Sequence, residues 1–157
     1  MHNKAEREFS LKLKDFVPAT REQNMFEHWD MKGTLFDVTN KIFKFDVKGI
    51  KRDTRHGNLN PKIVWTESQN VRGNKGWLYG KADFISFEKP EQFVIVDRIK
   101  LLEFMREKIA ENNNEIVEQP HAALYRIYQR QGRKDKISKA LMSDMEFISE
   151  WIVNKHA

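Results

Sequence analysis

Asp46-Val47-Lys48 sets a carboxylate and an ammonium two residues apart, within a stretch whose alternation reads as a β-strand. Side chains at i and i+2 of a strand share one face and lie about 7 Å apart along the chain, so this pair can hold one phosphate-sized ligand between them. Asp30 stands upstream, and a hairpin turning near Asn40 carries it back across from the neighbourhood of Lys48, on a strand face shared with Lys32 and Thr34. Two carboxylates and a lysine then converge. Carboxylate oxygens bind a hard cation such as Mg²⁺, which polarises a phosphate and acidifies a bound water, and a lysine beside them stabilises charge that develops on the phosphoryl group. That is the chemistry of phosphodiester hydrolysis.

The elements that must position these residues follow from periodicity. Ala5, Phe9, Leu13 and Phe16 recur at near-helical spacing and predict an amphipathic helix over 4–16, ended by Pro18. Thr20 with Gln23 has the form of a capping box and predicts a short helical turn to about Phe26. Two strands follow, 29–36 and 41–50, joined by Val38-Thr39-Asn40; in the second, Phe43, Phe45 and Val47 form an oily face, and Lys44, Asp46 and Lys48 a polar one. The segment 51–61, rich in Arg, Asp, Gly and Asn, reads as a mobile basic loop. Further strands are predicted at 63–69, 83–88 and 92–98, with a packed turn over Gly73, Gly76 and Gly80 between the first two. Leu102, Met105 and Ile109 predict a helix over 99–111, ended by Asn112-Asn113-Asn114. A strand over 122–128 and a last helix, started by Ser143-Asp144-Met145-Glu146 and carrying Ile148, Trp151 and Ile152 as its apolar stripe, complete the chain. The expected architecture is α/β, one sheet sandwiched by helices.

Composition sets the outer bounds. The 157 residues suit a single domain spanning 1–157. A hydrophobic fraction of 39% beside a charged fraction of 32% is that of a folded globule rather than a disordered chain. Lys and Arg exceed Asp and Glu by 28 to 23, and the resulting +5 suits a polyanionic partner. With Cys absent, there are no disulfides or thiolate metal sites, so a metal must be held by oxygen or imidazole. No apolar run reaches the roughly 18 residues that cross a bilayer, and the expectation is a soluble cytoplasmic protein with no membrane partner.

With Asp30 in His28-Trp29-Asp30 and the triplet in Phe45-Asp46-Val47-Lys48-Gly49, behind a leading helix, the chain resembles the PD-(D/E)XK nuclease superfamily. The topological resemblance runs from about Lys4 to Glu111, the motif itself being three residues, and Trp29 stands where the family pattern has Pro. The resemblance implies a restriction-endonuclease-like fold, a central mixed β-sheet flanked by α-helices, and a Mg²⁺-dependent deoxyribonuclease in which Mn²⁺ substitutes. Asp30 and Asp46 would bind the metal and Lys48 would assist the attacking water. Many members add a glutamate from the first helix, and Glu6, on the side of Phe9, Leu13 and Phe16, is the better aimed here. Glu67 and Gln69 are candidates to line the cleft. An endonuclease acting on structured or duplex DNA is expected, and the compact form resembles the Holliday-junction resolvases, which usually work as homodimers.

Each assignment has a plainer competitor. A D-X-K on an exposed strand is commonly a surface ion pair. Asp37 competes for the upstream carboxylate, but its place at the turn suits capping. His28 beside Trp29 is better read as packed than as a metal ligand. Trp65, Trp77 and Tyr79 can stack on unpaired bases, though a strand position favours burial for Trp65. Arg126, Arg130 and Arg133 are candidate DNA phosphate contacts, against a solvated basic face. The rival to a nuclease is a catalytically inactive nucleic-acid-binding module on the same scaffold.

Overall fold

Leu13, expected in the first helix, instead begins a strand. In the computed structural model, which describes residues 3–156, α1 (Lys4–Ser10) is followed by β1 (Leu13–Pro18), β2 (Met31–Leu35), β3 (Ile42–Lys48) and β4 (Ile63–Gln69). Next come β5 (Phe84–Glu88), β6 (Gln92–Asp97), α2 (Arg98–Glu111), β7 (Ile116–Val117) and β8 (Ile127–Tyr128). The chain closes with β9 (Lys136–Leu141), α3 (Met142–Ile148) and β10 (Trp151–Asn154). The class is mixed α/β, but the strands form two sheets where one was expected, a six-stranded sheet in the order β1-β2-β3-β5-β6-β10 and a four-stranded sheet in the order β4-β9-β8-β7. By contacts the chain divides into two compact units, the first comprising the described residues to Gly49, Gly80–Arg98 and the described residues from Ser149, the second Ile50–Tyr79 with Ile99–Ile148.

In the first unit β3 and β5 run parallel while the other neighbours are antiparallel. Asn3 caps α1 by accepting the Glu6 backbone N–H at 2.8 Å, and the helix stops where the Lys12 N–H turns back to the Phe9 carbonyl at 2.8 Å. Pairing of β1 with β2 then outcompetes helical propensity. It is made possible by Gly33, where an added Cβ would lie 2.9 Å from the Lys14 carbonyl oxygen, and by the left-handed Asp15, at which the register shifts. The residues predicted to face inward from a long helix still do so from a helix and a strand: Ala5, Phe9 and Leu13 are buried with Met31, Leu35, Phe45, Val47, Phe84, Phe93 and Ile95.

Phe9 centres this cluster, its ring 5.1 Å from those of both Phe45 and Phe93. Phe9→Ala is expected to cost about 3–5 kcal/mol, read from the denaturant midpoint, whereas Phe147→Ala, at a residue 88% exposed, should stay within about 0.5 kcal/mol of the parent. The end of the unit is tied down by Lys155, which pairs with Glu88 at 2.8 Å and Glu8 at 3.1 Å. Burial pulls the Lys155 ammonium down, but its hydrogen bonds to Glu88 and Glu8 outweigh it and leave the pKa raised; the same bond to Lys155 is the largest cause holding Glu8 below the usual carboxylate range.

In the second unit β4 lies antiparallel to β9, and the glycine-rich segment packs as predicted, with the Gly76 N–H donating to the Ser68 carbonyl at 2.9 Å and Trp77 and Leu78 buried. From α2, Met105 is buried as predicted, together with Leu101, while the predicted Leu102 and Ile109 are half-buried. Left-handed Asn113 and Asn114 end that helix, as the asparagine run implied. The strand expected over 122–128 is reduced to Ile127–Tyr128, because Pro120–Ala122 form a helical turn and Tyr125 is left-handed. β9 was not anticipated. Nor was β10: the stripe assigned to the last helix belongs to two elements, α3 ending at Ile148 and Trp151 starting a strand paired with β6.

Candidate active site

β2 begins at Met31, paired with Phe45, so past Phe45 β3 has no ladder partner on the β2 side and must be satisfied there otherwise. The Asp30 backbone N–H donates to the Phe45 carbonyl at 2.8 Å, and the Asp30 side chain then takes over from the ladder: its Oδ2 accepts the Val47 N–H at 2.7 Å. Its Oδ1 accepts from Asn24 Nδ2 at 2.8 Å, and the same amide reaches the Trp29 carbonyl at 3.2 Å. Asn24 is delivered by the helical turn that the sequence predicted. Thr20 and Gln23 form the reciprocal capping box, with Gln23 Oε1 accepting the Thr20 N–H at 2.9 Å and Thr20 Oγ1 accepting the Gln23 N–H at 3.1 Å. Asn24 itself was missed by sequence reasoning, the capping box being the only signal near it.

Trp29, at the position where the resembled motif has Pro, is 1% exposed, with its Nε1 donating to Glu27 and the Lys44 ammonium over its ring. It anchors the peptide leading into Asp30.

The hairpin register puts Asp30 level with Asp46, two residues nearer the turn than the predicted neighbourhood of Lys48. Asp46 and Lys48 share a strand face as alternation requires, and Lys48 Nζ lies 3.1 Å from Asp46 Oδ1. Against the surface-ion-pair reading, Asp46 is only 4% exposed on that polar face, and neighbouring β5 is buried without break over Phe84, Ile85, Ser86 and Phe87. Among the described residues Asp46 Oδ2 is buried with no hydrogen-bond donor. Burial is the largest cause raising the Asp46 carboxyl, to about 7; Lys48 opposes it, and the charge of Asp30 and a hydrogen bond shared with it push further up. Two carboxyl groups thus face one another and need a proton or a cation between them.

Glu6 is buried on α1 beside Ala5 and Phe9. Asp37 sits left-handed and exposed in the hairpin turn, beyond the last β2–β3 pair, Thr34 with Ile42. Glu67 and Gln69 belong to β4 of the second unit, where Gln69 Nε2 donates to the Lys134 carbonyl at 2.6 Å. Arg126 pairs with Glu115 at 2.8 Å and Arg130 with Asp135 at 3.1 Å, so both guanidinium groups already serve carboxylates; Arg133 is exposed and has no ion pair among the described residues. Among the described residues no helix is long and apolar enough to cross a membrane.

No protein-family model matches this sequence, and no curated protein and no solved structure matches the chain.

Proposed function

We propose that the chain is a metal-dependent nuclease of the PD-(D/E)XK type that hydrolyses DNA phosphodiester bonds as an endonuclease. The observation that carries this reading is the convergence of Asp30 and Asp46 with the Lys48 ammonium, 3.1 Å from Asp46, on a hairpin behind a helix that buries Ala5 and Phe9 against the same sheet. The order of α1, hairpin and further mixed sheet supports a restriction-endonuclease-like fold.

The donor set fits a hard divalent cation. Mg²⁺ is commonly held by one or two carboxylates together with waters and substrate phosphate oxygens, and Asp46 Oδ2 is a buried carboxyl oxygen without a donor among the described residues. Asp30 and Asp46 would hold the ion, which when bound polarises the phosphate and acidifies water. Asp30 is held ready for this by Asn24 and the Val47 N–H, which use one lone pair on each of its oxygens. Lys48 neutralises Asp46 in the absence of metal and presents its ammonium to the attacking water and the charge developing on phosphate.

The test is incubation of the purified chain with duplex, single-stranded, flap and four-way DNA, and with RNA, in Mg²⁺, in Mn²⁺ and in EDTA. Cleavage of DNA in both metals and none in EDTA is expected. Binding without cleavage in every metal tried would make the inactive binding module the better reading, and cleavage confined to RNA would overturn the substrate.

A further inference from the structure

The basic segment 51–61 and the tryptophan of β4 are not used by the Asp30–Asp46–Lys48 site, and within the second unit they meet. The segment is not an open loop: Asn60 N–H donates to the Lys51 carbonyl at 2.8 Å, Arg52 and Leu59 form a bridge, and the Arg52 guanidinium bonds back to the Gly57 carbonyl. It is fastened to β4 by Trp65, whose Nε1 donates to the Arg52 carbonyl at 2.9 Å. Beneath the Trp65 ring lies Lys139, 5% exposed, its ammonium 5.5 Å from the ring centroid and 2.6 Å from Asp53 Oδ1. Tyr128 of β8 stands beside Trp65 with ring centroids 6.0 Å apart, and both rings remain partly exposed. Together these walls enclose an open pocket of about 770 Å³, within the usual range of roughly 300–1,000 Å³ for small-molecule sites.

The charge in this pocket is one-sided. Lys51, Arg52, Arg55, Arg130 and the adjoining Lys139 are five cations, against which stand only Asp53, paired with Lys139, and Asp135, paired with Arg130. Among the described residues Lys51 and Arg55 have no ion pair. The Trp65 indole, pinned at its edge, accepts a nucleobase at little entropic cost, with the Tyr128 ring inclined to it by 44°, and guanidinium groups at the rim match the oxygens of a phosphate. An anion without a ring would leave the wall unused, and a ring without charge would leave the cations unused.

We propose that the pocket walled by Trp65 and Tyr128 and rimmed by Lys51, Arg52 and Arg55 is a nucleotide-binding site, taking one base against the rings and its phosphate at the rim. The nucleotide can be free or an unpaired unit of a strand. The site does not rest on the nuclease reading, and its test is run in EDTA so that it reads binding alone.

Calorimetric titration of the full chain with thymidine 5′-monophosphate should show saturable binding, with thymidine and inorganic phosphate each at least about tenfold weaker. Lys51→Ala with Arg55→Ala, at exposed loop positions, should weaken the monophosphate about tenfold or more and leave thymidine unchanged. Trp65→Leu should weaken both by about tenfold or more, and Trp65→Phe should restore most of the loss. Should Trp65→Leu fail to fold, the loop variants and Trp65→Phe carry the test. Tighter binding of the tetranucleotide of thymidylate than of the monophosphate assigns the site to a strand, and equal binding assigns it to the free nucleotide. Absence of saturable binding at millimolar nucleotide, or binding that ignores Lys51, Arg55 and Trp65 alike, would overturn the site.

Discussion

Asp46→Asn and Lys48→Ala are each expected to lower metal-dependent DNA cleavage by on the order of 10²-fold or more while DNA binding largely survives. Asp46→Asn keeps the shape of the side chain and removes the charge that would hold the cation, and its amide can donate to Asp30, the carboxyl that Asp46 already faces. Lys48→Ala leaves both carboxylates in place and removes the ammonium 3.1 Å from Asp46. Under the proposed function, affinity for DNA would come mainly from phosphate contacts spread over many groups, so one site change should move it little. Asp37→Asn is the control, since the turn holding Asp37 lies four residues along β3 from Asp46, about 13 Å at strand rise, and activity should stay near that of the parent. Single-turnover cleavage beside filter binding measures both quantities. An inactive Asp37 variant together with an active Asp46 variant would mean that the wrong carboxylate has been assigned.

The second large effect is on stability and its dependence on pH and metal. The Asp46 carboxyl titrates near 7 in the folded chain and near 3.8 when unfolded, so between these values the folded state binds one more proton than the unfolded state. The sign is then fixed: the contribution is fully present below about pH 4 and is lost as pH rises through about 7, a loss on the order of 4 kcal/mol at 1.36 kcal/mol per pH unit. Denaturant unfolding of the metal-free protein should show this decline, and Asp46→Asn should remove it, making the variant more stable than the parent at pH 8. A divalent cation competes with the proton for the same oxygens, so the rise in melting temperature on adding Mg²⁺ should be larger at pH 8 than at pH 6 and absent in Asp46→Asn. A parent and an Asp46→Asn variant with the same pH profile, or Mg²⁺ stabilising both equally, would remove Asp46 from the metal site.

Local chemistry made much of this chain readable from the sequence. Strand alternation put Asp46 and Lys48 on one face, turn-prone residues around Asn40 folded Asp30 back beside them, and the Thr20–Gln23 capping box appears as the residues imply. β4 and the hairpin strands were legible for the same reason, since a period of two and flanking turn residues act within a few positions. What lay beyond reach depended on partners distant in sequence. Leu13 was assigned to a helix because its spacing from Phe9 suits either structure, and only pairing with β2 across Gly33 decides for the strand. Trp151 and Ile152 continue a helical pattern locally, but β6 offers an edge that takes them as a strand. The same distinction governs the site: its residue types and spacing are properties of the sequence, whereas the burial of Asp46, which turns a surface ion pair into a carboxyl titrating near 7, arises only when the central strands are covered on both faces and water is excluded.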